Sequence, residues 1–433
     1  MKIEQNVFND GLLQFLQASP SPYHAVETLC ASLGQAGFIA LDEREEWSLK
    51  PGGRYFVTRN DSAIIAFQLA NQFDVSQGLR ISAAHTDSPS LKLKPKSLFT
   101  REGYLQFNVE VYGGALLNPW FDRDLGMAGK VWFLDQHGQM QSDLITIDRP
   151  VASIPSLAIH LDRQANVERS INPAKDINPI LGLSMGLDEE NFDFTDLLQQ
   201  ALEHQGHEVE TVLDYSLHLF DLTEPRLIGA NLDLLASGRL DNLLSCYTGM
   251  LSLLNTDPEV SCMLICSDHE EVGSLSAEGA NGNFAECVLQ RICPGPEPFG
   301  RFIANSMLIS TDNAHAVHPN FSDRHDQHHK PQINHGIVIK TNSNQRYASN
   351  SETQSIFKTL CAQAEIPIQY YSHRNDLPCG STVGPITAAR LGIRTIDVGV
   401  PTLAMHSPRE LAGTEDAYHL YLALSCFFHI EQI

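Results

Sequence analysis

The 433-residue sequence contains no apolar run approaching the roughly 20 residues that a membrane-spanning helix requires. It is also short of positive charge: 29 Lys and Arg stand against 52 Asp and Glu, a formal net charge of −23. Phosphate backbones and anionic lipid surfaces are bound through basic faces, so neither nucleic acid nor membrane is an expected partner. No CxxC pair occurs among the nine cysteines, and their odd number cannot pair completely. Cys262, Cys266 and Cys426 lie in apolar stretches and read as reduced, buried thiols. The opening MKIEQNVFNDGLLQF lacks the apolar stretch of a secretion signal. Low-complexity tracts and internal repeats are missing as well. These absences point to a cytoplasmic chain that folds throughout. Its length and 42% hydrophobic content suffice for two domains with sizeable cores.

What is present is a series of short apolar runs that end in chemically capable residues. They are AIIAFQL (63–69), LRISAAH (79–85), VSCMLICSD (260–268), SMLISTD (306–312) and IRTIDVGV (393–400). Their length, β-branching and lack of strict alternation suit strands buried on both faces of a largely parallel sheet. Between them, Leu240, Leu243, Leu244, Tyr247, Leu251 and Leu254 recur at helical spacing. The expected fold class is therefore α/β, with a mixed, mostly parallel sheet sandwiched by helices. The stretch 94–235 reads differently. YLQFNVEVYGG, GKVWFLD and ETVLDYSLHLFDL alternate like half-exposed strands, so a β-rich domain is expected at 94–235, inserted between 1–93 and 236–433.

The chemistry-bearing groups follow the apolar runs. His85-Thr86-Asp87 stands after the first parallel-type strand, where open α/β sheets gather ligands. Asp241 opens the amphipathic helix and, alone, would be read as a helix cap. Asp268-His269-Glu270-Glu271 places two adjacent carboxylates at a strand end, where a cation or a shared proton relieves their repulsion. Asp312 with His315, and His406, follow two further runs. Singly each is unremarkable. Their recurrence on one sheet edge points to a nitrogen- and oxygen-ligated catalytic metal such as zinc, cobalt or manganese. Two decoys compete. His318, His325, His328, His329 and His335 form a dense tract but lack strand or helix periodicity, and read as loop. PCGST at 378–382 offers hydroxyl and thiol groups without an evident base, and reads as a pocket-lining loop.

The stretches AAHTDSPS, NPWFDRDL, IPSLAIHL, SGRLDNL, SDHEEVGS, STDNAHAVHPN, GIVIKTNSNQRYASN, RNDLPCGSTVGPI and AMHSPRE resemble the aspartyl aminopeptidase family, two-zinc metalloaminopeptidases related to yeast vacuolar aminopeptidase I. The resemblance runs from about residue 20 to the C-terminus. It implies that Asp241 bridges two zinc ions, that His85 and Asp312 complete one site, and that Glu271 and His406 complete the other. It assigns the general base to Glu270 and places Asp87 behind the metal. It further implies a cis Asp241–Asn242 peptide, and substrate contacts from Glu270, His315, Lys340 and Tyr347. His160 of the inserted domain would reach a neighbouring subunit's site in a substrate or transition-state role. The implied assembly is a homo-dodecamer built from dimers through that domain. The implied reaction removes the N-terminal residue of peptides, acidic residues preferred, with a zinc-bridging hydroxide; cobalt or manganese would substitute.

Two divalent ions are balanced by the four carboxylates of Asp241, Glu271, Asp312 and Glu270, so a preference for acidic side chains needs a charge from elsewhere. Lys340 is the expected source, because a local field outweighs a screened net charge. A two-metal amidase, deacylase or carboxypeptidase is the competing enzyme, and a catalytically silent assembly protein the competing non-enzyme.

Overall fold

The computed structural model describes residues 3–184, 193–256 and 259–431. The chain divides into two compact units, Met1–Asp87 with Pro225–Met405 and Glu410–Ile433, and Ser88–Glu224 with His406–Arg409.

The larger unit is built on a nine-stranded sheet. Its central strands Cys262–Ser267, Arg80–His85, Met307–Thr311 and Arg394–Gly399 are mutually parallel. Antiparallel pairings flank them at Ala63–Gln68 and Ile337–Thr341. All five apolar runs singled out in the sequence are strands of this sheet. Ala63–Gln68, Arg80–His85 and Cys262–Ser267 are buried at every position, which explains why they do not alternate in polarity. Successive residues supply opposite faces. Cys262, Leu264, Cys266, Met307 and Ile309 join one core, with the helices Gln5–Ala18, Leu240–Leu254 and Asp416–Phe428. Met263, Ile265 and Leu308 join the other, with Phe284–Ile292 and Pro296–Ala304. The sheet is thus a mixed one between two helical layers, and each large apolar side chain fully buried in those cores contributes about 1.5–3 kcal/mol.

Helix Leu240–Leu254 is buried around most of its circumference rather than along one stripe. It packs on both Asp416–Phe428 and the strands beneath, so small polar residues such as Ser245, Thr248 and Ser252 are enclosed too.

The smaller unit is a six-stranded antiparallel sheet with helix Phe194–His204, closed over a core that includes Phe107, Leu125, Phe133, Leu198 and Leu217. Its limits differ from the expected 94–235. Ser90–Arg101 is one unbroken strand, so no boundary falls at 93, and the unit starts at Ser88. At the other end, Arg226–Ile228 and Leu234–Ser237 pair with each other, and the latter with Glu410–Gly413, so the larger unit resumes at Pro225.

Candidate metal centre

The centre is assembled where buried strands end. His85 terminates its strand with only 1% of its surface exposed. Its Nδ1 lies 3.0 Å from the main-chain oxygen of Asp87. A carbonyl only accepts, so Nδ1 donates inward and Nε2 is the nitrogen left facing outward. That nitrogen points at carboxylates: Asp241 Oδ1 at 3.4 Å and Asp312 Oδ1 at 3.8 Å. Although burial opposes a charge on His85, Asp241, Asp312 and Asp87 hold its pKa well above the usual histidine value.

Asp87, fully buried, works on the neighbouring turn. Its Oδ1 accepts from the Glu270 N–H and its Oδ2 from the Glu271 N–H, both at 3.1 Å. Asp87 therefore fixes the ring beside it through its main-chain oxygen and the backbone of the two adjacent glutamates through its carboxylate. Burial pushes the Glu270 carboxyl up to about 8; His85 opposes this, and Asp312, Asp87 and Asp241 reinforce it. Asp268, also buried, is pushed up to about 6 by burial and then by Asp87.

Asp241 is not a simple cap. Helix Leu240–Leu254 begins after Arg239, and Asp241 has non-helical angles (φ −82°, ψ 102°) followed by a cis peptide to Asn242. The departure is pinned from two sides: Glu410 Oε2 accepts from Asp241 N at 3.1 Å, and Asn242 Nδ2 donates to Thr311 O at 2.8 Å. The carboxylate is thereby turned from the helix axis toward His85.

The donor atoms of His85, Asp241 and Glu271 lie within 4.8 Å of one another, the only such group of three among the described residues. The set combines one imidazole and two carboxylates, Asp241 buried and Glu271 half-buried, without thiolate, which fits catalytic zinc. Left to themselves these carboxylates repel, and a bound divalent cation would supply the missing charge.

The remaining expected residues are distributed as follows. Lys340, 1% exposed, directs Nζ to Asp312 O at 2.8 Å, Asn313 O at 3.2 Å and Asp312 Oδ2 at 3.4 Å, with the Tyr347 ring 5.2 Å below. Two main-chain oxygens thus accept hydrogen bonds from the ammonium, and the Asp312 carboxylate stands beside it as an ion pair. His315 stands exposed, edge-on to the Tyr371 ring at 5.5 Å. His160 is exposed on the smaller unit. His406 groups with that unit as well: its O accepts from Leu116 N and its Nδ1 lies 3.1 Å from Gly114 O. Sequence reasoning passed over Glu410 and Asp397, although a lone acid inside the apolar run IRTIDVGV was a visible signal.

A histidine and carboxylates gathered at the carboxyl ends of parallel strands, in an α/β sheet layered by helices, define a metal-dependent hydrolase. The chain belongs to the aminopeptidase I zinc metalloprotease family, M18, whose model matches residues 15–428. It is 53% identical to a probable M18 family aminopeptidase 2 of Pseudomonas syringae pv. syringae, over 97% of each chain. Among solved structures it is similar to that of the Ape4 and Nbr1 complex, with TM-score 0.94, 39% identity and coverage of 98% of this chain and 86% of that one. It is also similar to the mApe1 dodecamer of S. cerevisiae, with TM-score 0.85, 27% identity and coverage of 99% and 97%. The protein is thus a zinc aminopeptidase of this family, and no helix among the described residues is long and apolar enough to cross a membrane.

Proposed function

We propose that the chain hydrolyses the N-terminal residue from peptides with two zinc ions per subunit, held jointly by Asp241, with His85 and Asp312 on one side and Glu271 on the other. Family resemblance adds His406 to the second set. The observation that carries this reading is the convergence of His85, Asp241 and Glu271 on one point, with Asp87 fixing both the ring and the glutamate turn.

When bound, zinc supplies Lewis acidity, polarising the scissile carbonyl and easing deprotonation of a water. Glu270 takes that proton as the water attacks and returns it to the leaving amine. Asp87 keeps Glu270 in reach through its backbone N–H, so the base is aimed by its main chain as well as its side chain. His160 from a neighbouring subunit would donate to the oxygen that gains charge, which makes a homo-dodecamer built from dimers part of the proposal; the similarity to a dodecameric yeast relative supports it. The compartment consistent with reduced thiols is the cytoplasm.

The reading includes a preference for acidic N-terminal residues. Because Lys340 is buried, bonded to the Asp312 and Asn313 main chain and ion-paired with the Asp312 carboxylate, its contribution is through its field rather than a direct hydrogen bond. His315 and Tyr347 complete the substrate contacts. A panel of Asp-, Glu-, Ala- and Leu-linked chromogenic amides, with N-acetylated controls and zinc, cobalt or manganese added back to stripped protein, tests all of this. Release from free-amine substrates with Asp and Glu ahead of Leu, at two zinc ions per chain, is the expected result. Turnover of the N-acetylated controls would point to a deacylase instead.

A further inference from the structure

Asp397 is a fully buried carboxylate that the reaction does not use. It lies mid-strand in Arg394–Gly399, in parallel register with Ser310, two residues before Asp312. Its Oδ1 accepts from Thr382 Oγ1 and its Oδ2 from Ala348 N, both at 2.6 Å. Its main chain exchanges two further bonds with the Ser349 hydroxyl, at 2.9 and 3.3 Å. One residue therefore clamps the segment after Tyr347 and the end of the 378–382 loop to the same strand. Those segments also meet each other: Ser381 Oγ donates to Arg346 O at 3.2 Å, and Cys379 packs on the cluster containing Tyr347 and Tyr371. Gly384 leaves room for this arrangement, since a Cβ there would lie 2.4 and 2.5 Å from the two carboxylate oxygens. Burial raises the Asp397 pKa; the Lys340 charge and the bonds from Thr382 and Ala348 work against that rise. A buried acid is costly to keep, and its bonding here is too specific for packing alone.

We propose that Asp397 is a positioning residue that sets the Tyr347 segment and the 378–382 loop against its own strand, the neighbour of the strand presenting Asp312, shaping the wall met by the substrate's N-terminal side chain. It acts through those loops and touches no reacting atom. The inference rests on the reading of Tyr347 and Lys340 as substrate contacts.

The test compares Asp397→Ala and Asp397→Asn in the zinc-loaded enzyme on the chromogenic panel. In Asp397→Ala both loops lose their anchor, and KM is expected to rise about tenfold with kcat within about twofold and zinc content unchanged. Asn can accept from Ala348 N while Thr382 turns its hydroxyl to receive the amide N–H, so it is expected to restore most of the KM. An unchanged KM in Asp397→Ala, or an Asn variant as impaired as Ala, would overturn the positioning role. Should Asp397→Ala not fold, Thr382→Val and Gly384→Ala disturb the same carboxylate. A KM raised about threefold in both supports the proposal, and wild-type KM in both refutes it. The parent reading fails separately: wild-type enzyme that releases no N-terminal residue sinks it, whereas an active wild type with indifferent variants sinks only the role of Asp397.

Discussion

Two regions of the larger unit are rich in metal-capable side chains, and only one of them assembles a cluster. The cluster at the strand ends contains a single histidine, yet His85, Asp241 and Glu271 converge within 4.8 Å. The tract 318–335 contributes five histidines, and none belongs to such a group among the described residues. His329 pairs with Asp326 at 2.6 Å, both about 40% exposed; the His318 ring lies tilted against Phe321 at 4.9 Å; His328 and His335 are exposed. The difference is in what holds the side chains. At the strand ends, parallel neighbours and a buried aspartate fix each donor before any ion arrives. In the tract, His318, His329 and His335 contact residues within three positions, and the His325 ring lies edge-on to Tyr371. Ligand density says little; preorganisation decides.

That contrast can be broken experimentally, most severely at the bridge. Asp241→Asn removes the carboxylate both ions would share; losing several kcal/mol of charge stabilisation lowers kcat/KM by more than about a thousandfold. Zinc content by elemental analysis should fall with it, and full zinc occupancy would break the assignment. Next comes Glu270→Gln, which leaves the ligand set intact. Turnover should drop on the order of 10²–10⁴-fold while zinc is retained, and a variant that loses both would mark Glu270 as a ligand rather than the base.

A smaller effect separates a structural acid from the catalytic ones. Asp416 anchors the end of the histidine tract by accepting from Asn334 N at 2.5 Å and Gly336 N at 2.7 Å, and burial pushes its carboxyl up to about 7. A folded-state pKa above the unfolded one means the native state holds the proton more tightly. That contribution is full below about pH 4 and is lost as pH rises through 7. Asp416→Asn should therefore be destabilised by about 1–3 kcal/mol at pH 5, with the deficit shrinking by pH 8 as Tm is followed across that range. An equal deficit at both pH values would show that Asp416 does not titrate there. The smallest effect is expected in the tract itself: His328→Ala with His335→Ala should change activity by less than about twofold and zinc content not at all, since exposed positions away from special contacts tolerate substitution. A measurable loss of zinc would restore the tract as a metal site.

Much of the architecture was legible because the apolar runs are long enough and polar enough at their ends to be recognised. The runs at 63–69, 79–85, 260–268, 306–312 and 393–400 all became buried strands, and their failure to alternate already signalled two covered faces. Asp241 could not be read from its surroundings alone. A helix-opening aspartate looks like a cap, and only Glu410 and Thr311, distant in sequence, turn it out of the helix. The edges of the inserted unit were displaced for a similar reason: Ser90–Arg101 continues as one strand, and His406–Arg409 bonds back to Leu116, Thr223 and Glu224. Such closures depend on partners that no local window contains.

The sequence by itself determined the α/β class and the kinds of ligand available, since burial pattern and donor chemistry are properties of residues and their neighbours. Tertiary structure alone decided that His85 presents Nε2, that Asp87 holds the glutamate turn, that the Lys340 donors are engaged at Asp312 and Asn313, and that Asp397 ties two loops to one strand. Each of those is a direction in space, set by hydrogen bonds between segments far apart along the chain.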